Sequence, residues 1–465
     1  MSGLATILLA ASLIGVAACS KSDEQSAGGT ERAFEKPPPA PPIVLPRDAA
    51  PDAAPVDVEA EIAKLLDPKT QRSAIERLGS SNDPRAAFAL VPMLDHDHVP
   101  DALRRLGKHS IEPLKQLLND TDAKTRKLAV MTLGYLDDPV IIDLLLPLLR
   151  DKDSGVSSMA GVSLGAKQDV RVARAVIPML ADDDFGKQFG IVLLLEATGS
   201  VAVEPLLEAM QDADARIRIG ATHALARIKD PRAFDPMMKL LADKEPRVRA
   251  AAVTALSQTT VDTRDAFLAM LEDADPNVRL AVVAAIKDPR AVPVLVKYAV
   301  GDGNLQRYAI EALGRIRDPS AIDPLVRQMQ TERDQYVREV ISNALAAYGE
   351  PAIDVLVQVL GNTKATQRRD AARALAGIDH ERAREALKAA IETKDLATIA
   401  GGVRHYCKLR QPETNALLIA ALDKFGDVEL AHYMLNCNNS DTDAAARAWA
   451  KKRGHKIEMH MTRGR

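Results

Sequence analysis

Apolar and small residues recur along most of this chain at intervals that predict short helices packed in pairs. Residues 230–260 show the pattern clearly, with an apolar run at 233–241, a polar turn at 242–246 and a second apolar run at 247–256. The apolar residues of the second run fall on one face of a helix; they are Val248, Ala252, Ala255 and Leu256. Two alanines on this face let neighbouring helices approach closely, so the segment predicts an antiparallel pair of helices.

The same pair of helices recurs with a period of roughly 30 residues, which is typical of a solenoid. Acid-Pro dipeptides open many copies: Asp83-Pro84, Asp138-Pro139, Asp230-Pro231, Asp288-Pro289, Asp318-Pro319 and Glu350-Pro351. We place the copies near residues 58, 83, 108, 138, 169, 201, 230, 262, 288, 318, 350, 380 and 412. In a solenoid each repeat buries its apolar face against its neighbours. The predicted fold class is therefore all-α, an α-solenoid superhelix of roughly 25 helices.

The second helix of many copies carries an arginine four residues after an acid. These pairs are Asp122 and Arg126, Asp214 and Arg218, Glu245 and Arg249, Asp275 and Arg279, and Asp334 and Arg338. We expect the acid to cap the helix N-terminus and the arginine to reach an acid in its own or the neighbouring turn. Stacked repeats would then carry a ladder of charged pairs, each worth about 0–1 kcal/mol at an exposed edge. Ser157, Lys187 and Gln306 fill the arginine position in three copies, which predicts interruptions there.

The repeated acid-Pro, acid-x-x-x-Arg and Ala-x-x-Ala-Leu patterns together resemble HEAT repeats, in particular the short bacterial form related to phycobilin-lyase repeats. The resemblance covers residues 58–440 and implies that the second helices line a concave surface. The outward positions would lie one and five residues after the arginine; they include Ile219 and His223, Ala250 and Thr254, Leu280 and Ala284, Arg307 and Glu311, Glu339 and Asn343, and Arg369 and Arg373. This surface is apolar in the middle and charged later, which suits a protein or peptide partner. Residues 441–465 are predicted to form a capping helix and a basic tail.

The N-terminal 57 residues read as a targeting segment followed by a linker. Residues 4–18 are almost wholly apolar but too short for a stable membrane anchor. They end in Val16-Ala17-Ala18-Cys19, which resembles a bacterial lipobox, so residues 1–18 are predicted as a lipoprotein signal peptide and Cys19 as the lipidation site. An uncleaved signal anchor and an ordinary secretory signal are the alternatives. Residues 19–57 are rich in Pro and Ala and predict a disordered, extended linker.

The composition offers little sign of catalysis or of nucleic-acid binding. The net charge is −3, so no global basic field attracts nucleic acid. We find no phosphate-binding, nucleophile or metalloprotease motif and predict no cofactor and no metal. Cys407 and Cys437 lie one repeat apart and are predicted either to form a disulfide or to be two separate buried thiols. His405 and His432 add zinc-compatible types, but the spacing matches no zinc motif.

The sequence therefore favours a membrane-tethered HEAT-repeat scaffold that acts by binding and not as an enzyme. We expect a monomer in a Gram-negative envelope, anchored by lipid to the outer membrane and facing the periplasm, because Ser20 after the cysteine resembles outer-membrane lipoproteins. Its partner would be an envelope protein or peptide held on the concave surface. The alternatives are an enzyme of the phycobilin-lyase type and a periplasmic chaperone or assembly factor.

Overall fold

A computed structural model describes residues 56–301 and 303–457 of the chain. All the regular elements within these ranges are helices, and the prediction of an all-α solenoid is confirmed. Cys19, the predicted signal peptide, nearly all of the predicted linker and the end of the basic tail lie outside the described residues.

The helices form two compact units that divide between Ala255 and Leu256. The helices of the first unit are α1 (Val58–Lys64), α2 (Gln71–Leu78), α3 (Pro84–Leu90), α4 (Val99–Leu106), α5 (Ile111–Leu117), α6 (Ala123–Gly134), α7 (Val140–Leu145), α8 (Ser154–Gly165), α9 (Val170–Val176), α10 (Phe185–Thr198), α11 (Val203–Ala209), α12 (Ala215–Ile228), α13 (Phe234–Leu240) and α14 (Pro246–Leu256), which ends at the boundary.

The second unit continues the series of helical pairs. Its helices are α15 (Arg264–Met270), α16 (Pro276–Ala285), α17 (Val292–Ala299), α18 (Gln306–Ile316), α19 (Ile322–Thr331), α20 (Gln335–Tyr348), α21 (Ile353–Leu360), α22 (Ala365–Ala376), α23 (Glu381–Thr393), α24 (Leu396–Gly401), α25 (Val403–Leu409), α26 (Pro412–Phe425), α27 (Val428–Leu435) and α28 (Ser440–Arg453).

The acid-Pro dipeptides start the first helix of a repeat by a local mechanism. Asp230 is extended, and its carboxylate accepts the backbone N–H of Arg232 at 2.9 Å, which satisfies a donor at the helix start. Pro231 takes the first helical position, where its missing N–H has no consequence. Lys229, at the end of the preceding helix, adopts a left-handed conformation with φ 60°, so the chain reverses within two residues.

The second helices of successive repeats pack side by side through small and aliphatic residues. In the first unit α6, α8, α10 and α12 form such a row, and α18, α20, α22 and α24 form one in the second. Ala221, Leu225 and Ala252 are fully or almost fully buried on the inner faces. At Gly314 a Cβ would come within 3.0 Å of the Ala344 backbone, so α18 and α20 approach to a distance that only a small residue permits.

The last repeats depart from the regular stacking. The helix that begins as α24 is interrupted at Gly402, and the row then continues through α26 and α28. Asn439 caps α28, because it is the residue with extended backbone before the first turn and its side-chain oxygen accepts the backbone N–H of Asp441. Trp449 of α28 is buried.

One stretch, Phe185–Ala209, is long and apolar enough to cross a membrane by length and composition. It comprises α10, a short 3-10 turn and α11, and half of its apolar window is buried within the protein. Core helices of soluble proteins pass the same test, and α10 packs between α8 and α12 in the row of second helices.

Candidate protein-interaction surface

The arginines of the predicted ladder bind across repeat boundaries. Arg126 donates from Nε and Nη2 to the two oxygens of Asp151 in the next repeat, at 2.9 and 2.7 Å. Arg218 makes the same two-pronged contact with Asp243, at 2.9 Å for each bond. Each arginine also donates to backbone carbonyls of its own inter-helix turn, those of Asp120 and Thr121 for Arg126. One side chain therefore joins two consecutive turns.

The acids that the sequence analysis assigned to the ladder have the capping role. Asp122 accepts the N–H of Thr125, and Asp214, Asp275 and Asp334 accept the N–H groups two residues further on. Sequence reasoning missed the acids that bind the arginines, Asp151 and Asp243, which lie two residues before the cap. Each also accepts the N–H of the residue two positions on, Asp153 or Glu245. The recurrence of acid-x-acid in these turns was the signal that could have identified them.

Burial corrects the expectation that the ladder lies at an exposed, hydrated edge. The side chains of Arg126 and Arg218 are 4% and 6% exposed, because the turns of two repeats close over them. The hydrogen bonds from Arg126 hold the pKa of Asp151 below its usual value. Burial raises the pKa of Asp243, but the bonds from Arg218 and from the Glu245 backbone outweigh it and leave that pKa lowered. Removal of one partner should therefore cost more here than at an exposed edge, because it would leave a buried charge unmatched.

The remaining ladder positions vary with the local sequence. Arg249 and Arg279 each donate to the carbonyl of the first acid in their own turn, Asp243 at 2.8 Å and Asp273 at 2.6 Å. Arg338 binds Asp370 on α22 at 2.8 Å, because the turn of the following repeat carries Asn362 in place of an acid.

Two of the three expected interruptions need correction. Gln306 keeps the contact across the repeat boundary, since its Nε2 donates to Glu332 Oε2 at 3.0 Å. The residue at the ladder position of α10 is Gln188 and not Lys187, because Asp184 caps that helix. Ser157 does fill the position in α8, where its hydroxyl donates to Ser154 O at 3.2 Å.

This correction in register changes the picture of the outward surface. The positions one and five residues after Gln188 are Phe189 and Leu193, which extend the apolar region expected from the sequence. Phe185 lies one turn before Phe189, and their ring centroids are 6.4 Å apart. We define the apolar patch as the exposed large apolar residues on α10, on α8 and directly after α6; they are Phe185, Phe189, Leu193, Val162 and Tyr135.

The apolar patch lies at the surface and is bordered by charge. Its side chains are between 38% and 68% exposed. On the α12 side the guanidinium of Arg227 lies 6.0 Å from the Phe189 ring and pairs with Glu196, so a charged border follows the apolar residues. Exposed apolar surface with a polar rim is characteristic of protein-binding sites.

The outward positions of the second unit become mostly charged from α18 onward. Arg307 pairs with Glu311 at 3.3 Å along α18. Arg369 and Arg373 on α22 are almost wholly buried, because the turn before α27 lies over them. In this unit the outward surface of α18 is therefore open, whereas that of α22 is covered.

Comparison with known sequences identifies the repeats. The family described as HEAT repeats matches residues 111–188, 203–267, 264–346, 301–373 and 328–402, which together make up more than half of the chain. The chain belongs to the HEAT-repeat family. No curated protein sequence matches it significantly.

Solved structures with related folds are only distantly similar to this HEAT-repeat protein. An engineered protein is 22% identical, with 85% of this chain and 98% of that chain covered and a TM-score of 0.24. The Escherichia coli protein YibA is 20% identical over 54% of this chain and 95% of its own, with a TM-score of 0.33. Importin beta is 14% identical over 84% and 64% of the two chains, with a TM-score of 0.38. All three TM-scores are below 0.5, so the family assignment rests on the sequence repeats.

Two concave sites in the second unit have very different sizes. A groove of about 380 Å³ lies between α16, α17 and the start of α18, and Arg279, Lys297 and Tyr298 are among its lining residues. A crevice of only about 10 Å³ lies between Arg373, Arg404 and Glu429, which is room for about one water molecule. Across residues 56–301 and 303–457 no three His, Cys, Asp or Glu residues converge closely enough to hold a metal ion.

The structure joins Cys407 of α25 to Cys437, the second residue after α27. Their Cα atoms are 5.0 Å apart, within the range that a disulfide requires. The two cysteines are thus placed as a bonded pair and not as separate thiols or zinc ligands, and they link two helices that follow the interruption at Gly402.

Proposed function

We propose that this HEAT-repeat protein is a membrane-tethered scaffold that binds a protein partner on the second-helix surface of its first unit. The observation that carries the proposal is the apolar patch, in particular Phe189 and Leu193 at the outward positions of α10. A soluble protein rarely leaves neighbouring aromatic and aliphatic side chains this exposed without a partner to cover them.

The patch has the features of a preformed binding surface. Phe185, Phe189 and Leu193 recur every four residues on one rigid helix, so little conformational entropy is lost when they are covered. Large aromatic side chains contribute most of the energy at many interfaces, and the paired Arg227 beside Phe189 supplies a polar rim. The proposed action is binding and positioning, with no covalent step.

The tether in this proposal is a lipid on Cys19, with residues 19–57 as an extended stalk. It is supported by the lipobox-like Val16-Ala17-Ala18-Cys19 and by the placement of Cys407 and Cys437 as a disulfide, since disulfides persist in exported proteins. We propose a monomer anchored in the outer membrane of a Gram-negative bacterium and facing the periplasm, with an envelope protein as its partner.

The binding proposal is tested by a double substitution, Phe189→Glu with Leu193→Glu, in the tagged protein. Leu66→Glu is the matched control, because Leu66 is 91% exposed in a turn far along the sequence from the patch. We expect proteins captured from envelope extracts by wild type and by Leu66→Glu to be lost with the double variant. Capture of the same proteins by all three, with equal helical content in circular dichroism, would show that the patch is not the binding surface.

The tether is tested separately through Cys19→Ser. We expect this change to abolish incorporation of radiolabelled palmitate and to leave the precursor unprocessed or soluble. Equal labelling of wild type and variant would refute lipidation at Cys19 and leave the patch proposal intact.

A further inference from the structure

The turn before α27 makes contacts that a regular solenoid does not make. Asp427 Oδ2 accepts a hydrogen bond from Gln335 Nε2 at 3.2 Å, although the two residues are 92 positions apart in the sequence. Repeats of a solenoid contact their immediate neighbours, whereas this turn reaches back past intervening repeats to the start of α20. We call residues 425–429 the strap.

The strap is attached to α22 through two arginines. Arg369 Nη1 lies 3.5 Å from Asp427 Oδ2 and 3.5 Å from the carbonyl of Phe425. Arg373 Nη2 lies 3.0 Å from Glu429 Oε2. Two acidic side chains, two residues apart in the sequence, thus lie against the outward arginines of α22.

The covering of these arginines is a local feature of α22. The equivalent residue on α18, Arg307, has a side chain that is 36% exposed, whereas those of Arg369 and Arg373 are 11% and 8% exposed. The difference follows from the strap, which occupies the outward face of α22. Without the strap, Arg369 and Arg373 would be exposed on the same side of the repeats as the outward residues of the other second helices.

The fit between strap and arginines is incomplete. Arg369 Nε, Arg373 Nη1 and Glu429 Oε2 are buried and form no hydrogen bond of good geometry, although Arg373 Nη1 lies 3.5 Å from Asp370 Oδ1 and Glu429 Oε2 lies 3.0 Å from Arg373 Nη2. Each buried charged group without its full set of well-aligned hydrogen bonds raises the free energy of the closed state. Arg373 Nη2 also lies 3.4 Å from Glu339, so its two N–H groups face two carboxylates.

The geometry also allows the strap to move while α27 stays attached. Cys437 follows the far end of α27 and is bonded to Cys407, whereas the strap leads into the near end. Gly426 in the strap packs against Trp449, where an added Cβ would lie 2.5 Å from the indole Nε1. The single tryptophan of the sequence is therefore adjacent to the strap and reports on its position.

We propose that Arg369 and Arg373 form a binding site for an acidic segment of a protein partner. In the free protein the strap occupies this site. On binding, two carboxylates of the partner, two residues apart in its sequence, replace Asp427 and Glu429. The site lies in the second unit and does not depend on the apolar patch. A nucleic acid is a poor alternative, because Glu339 and the fully buried Asp370 adjoin the arginines and would repel a row of phosphates.

The test uses a labelled peptide with the sequence of residues 424–430 as a probe. Its control is the same peptide with amides in place of the two acids. In the protein, Asp427→Asn combined with Glu429→Gln removes the two carboxylates that face Arg369 and Arg373. We expect the acidic peptide to bind this double variant about tenfold more tightly than wild type, which corresponds to about 1.4 kcal/mol. Adding Arg373→Ala should abolish the binding, and rising salt should weaken it.

Equal affinity for wild type and double variant, equal binding of the amide peptide, or no binding to a double variant of normal helical content would each overturn the proposal. If the double variant does not fold, hydrogen exchange of residues 425–435 in wild type gives the answer. Millimolar acidic peptide should accelerate that exchange and change the Trp449 fluorescence, and an unchanged exchange would refute displacement of the strap. Phe189→Glu should leave peptide binding unaltered, which separates this outcome from failure of the scaffold proposal.

Discussion

Replacing Arg218 by alanine tests whether the buried ladder holds the repeats together. Arg218 makes two hydrogen bonds to Asp243 and two to the carbonyls of Asp212 and Ala213. Its removal leaves the Asp243 carboxylate, which is 9% exposed, without a charged partner. Breaking such a pair typically costs about 3–5 kcal/mol. The backbone N–H of Glu245 still reaches Asp243 at 2.8 Å, so we expect a loss of about 3 kcal/mol.

Arg216, on the same helix, provides a matched control. It is also paired, with Asp214 and Asp183 at 2.7 Å, but its side chain is 45% exposed and that of Asp183 is 93% exposed. Water replaces the lost contacts there, so Arg216→Ala should reduce the unfolding free energy far less than Arg218→Ala does.

Urea denaturation followed by circular dichroism measures both losses, and hydrogen exchange shows whether the damage of Arg218→Ala is concentrated in α12 and α14. Because the pKa of Asp243 lies below its ordinary value of 3.8, the contribution of the pair is present above about pH 4 and is lost as the pH falls through the lowered pKa. Equal losses for the two variants, or a loss below about 1 kcal/mol for Arg218→Ala, would refute the reasoning that burial makes this pair strong.

Three further predictions concern packing and titration. Ala252→Asp should reduce the unfolding free energy in urea melts by several kcal/mol, on the order of 2–5, because the site is fully buried on the inner face of α14. Gly401→Ala should lower the melting temperature, because the added Cβ would overlap the carbonyl oxygen of Arg369. Gly190→Ala is the control: a Cβ at Gly190 meets no neighbour, so the melting temperature should be unchanged or slightly raised. Burial and nearby acids raise the pKa of Glu429, so the unfolding free energy should decline as the pH rises above the usual value of 4.5, and Glu429→Gln should flatten that decline in melts followed by Trp449 fluorescence.

The repeating part of the fold could be predicted because its determinants are local. Asp230 and Pro231 start a helix through contacts within three residues, and the apolar face around Ala252 follows from helical spacing alone. Since each repeat packs on its neighbours, recognising one repeat is enough to predict the arrangement of the next.

The charged ladder was only partly predictable. The capping role of Asp122 depends on a bond three residues along the chain, which the sequence displays. The partner of Arg126 lies 25 residues away, and its identity depends on how one turn sits above the next. Burial of the pair depends on the same geometry, and for this reason the sequence alone placed the pair at an exposed edge.

The strap and part of the apolar patch needed the structure. Nothing in the spacing of Gln335 and Asp427 suggests that they touch, because the contact bypasses the repeats between them. At α10 a one-residue error, Lys187 for Gln188, kept Phe189 out of the predicted outward positions. In a helix one residue corresponds to a rotation of about 100°, so a single misassigned position alters which side chains face a partner.

The bonding of each arginine to the next repeat has a consequence for how such a chain can grow. Where the ladder is complete, a repeat carries a donor for the next repeat, as Arg126 with Asp151 and Arg218 with Asp243 illustrate. A duplicated copy inserted in phase would therefore find complementary groups at both junctions without further substitution. A cut at a repeat boundary would separate such an arginine from its acid, and an insertion out of phase would misalign the two groups. Gene duplication and protein engineering alike should succeed when they add whole repeats. The number of repeats can therefore change more easily than the residues at the junctions between them.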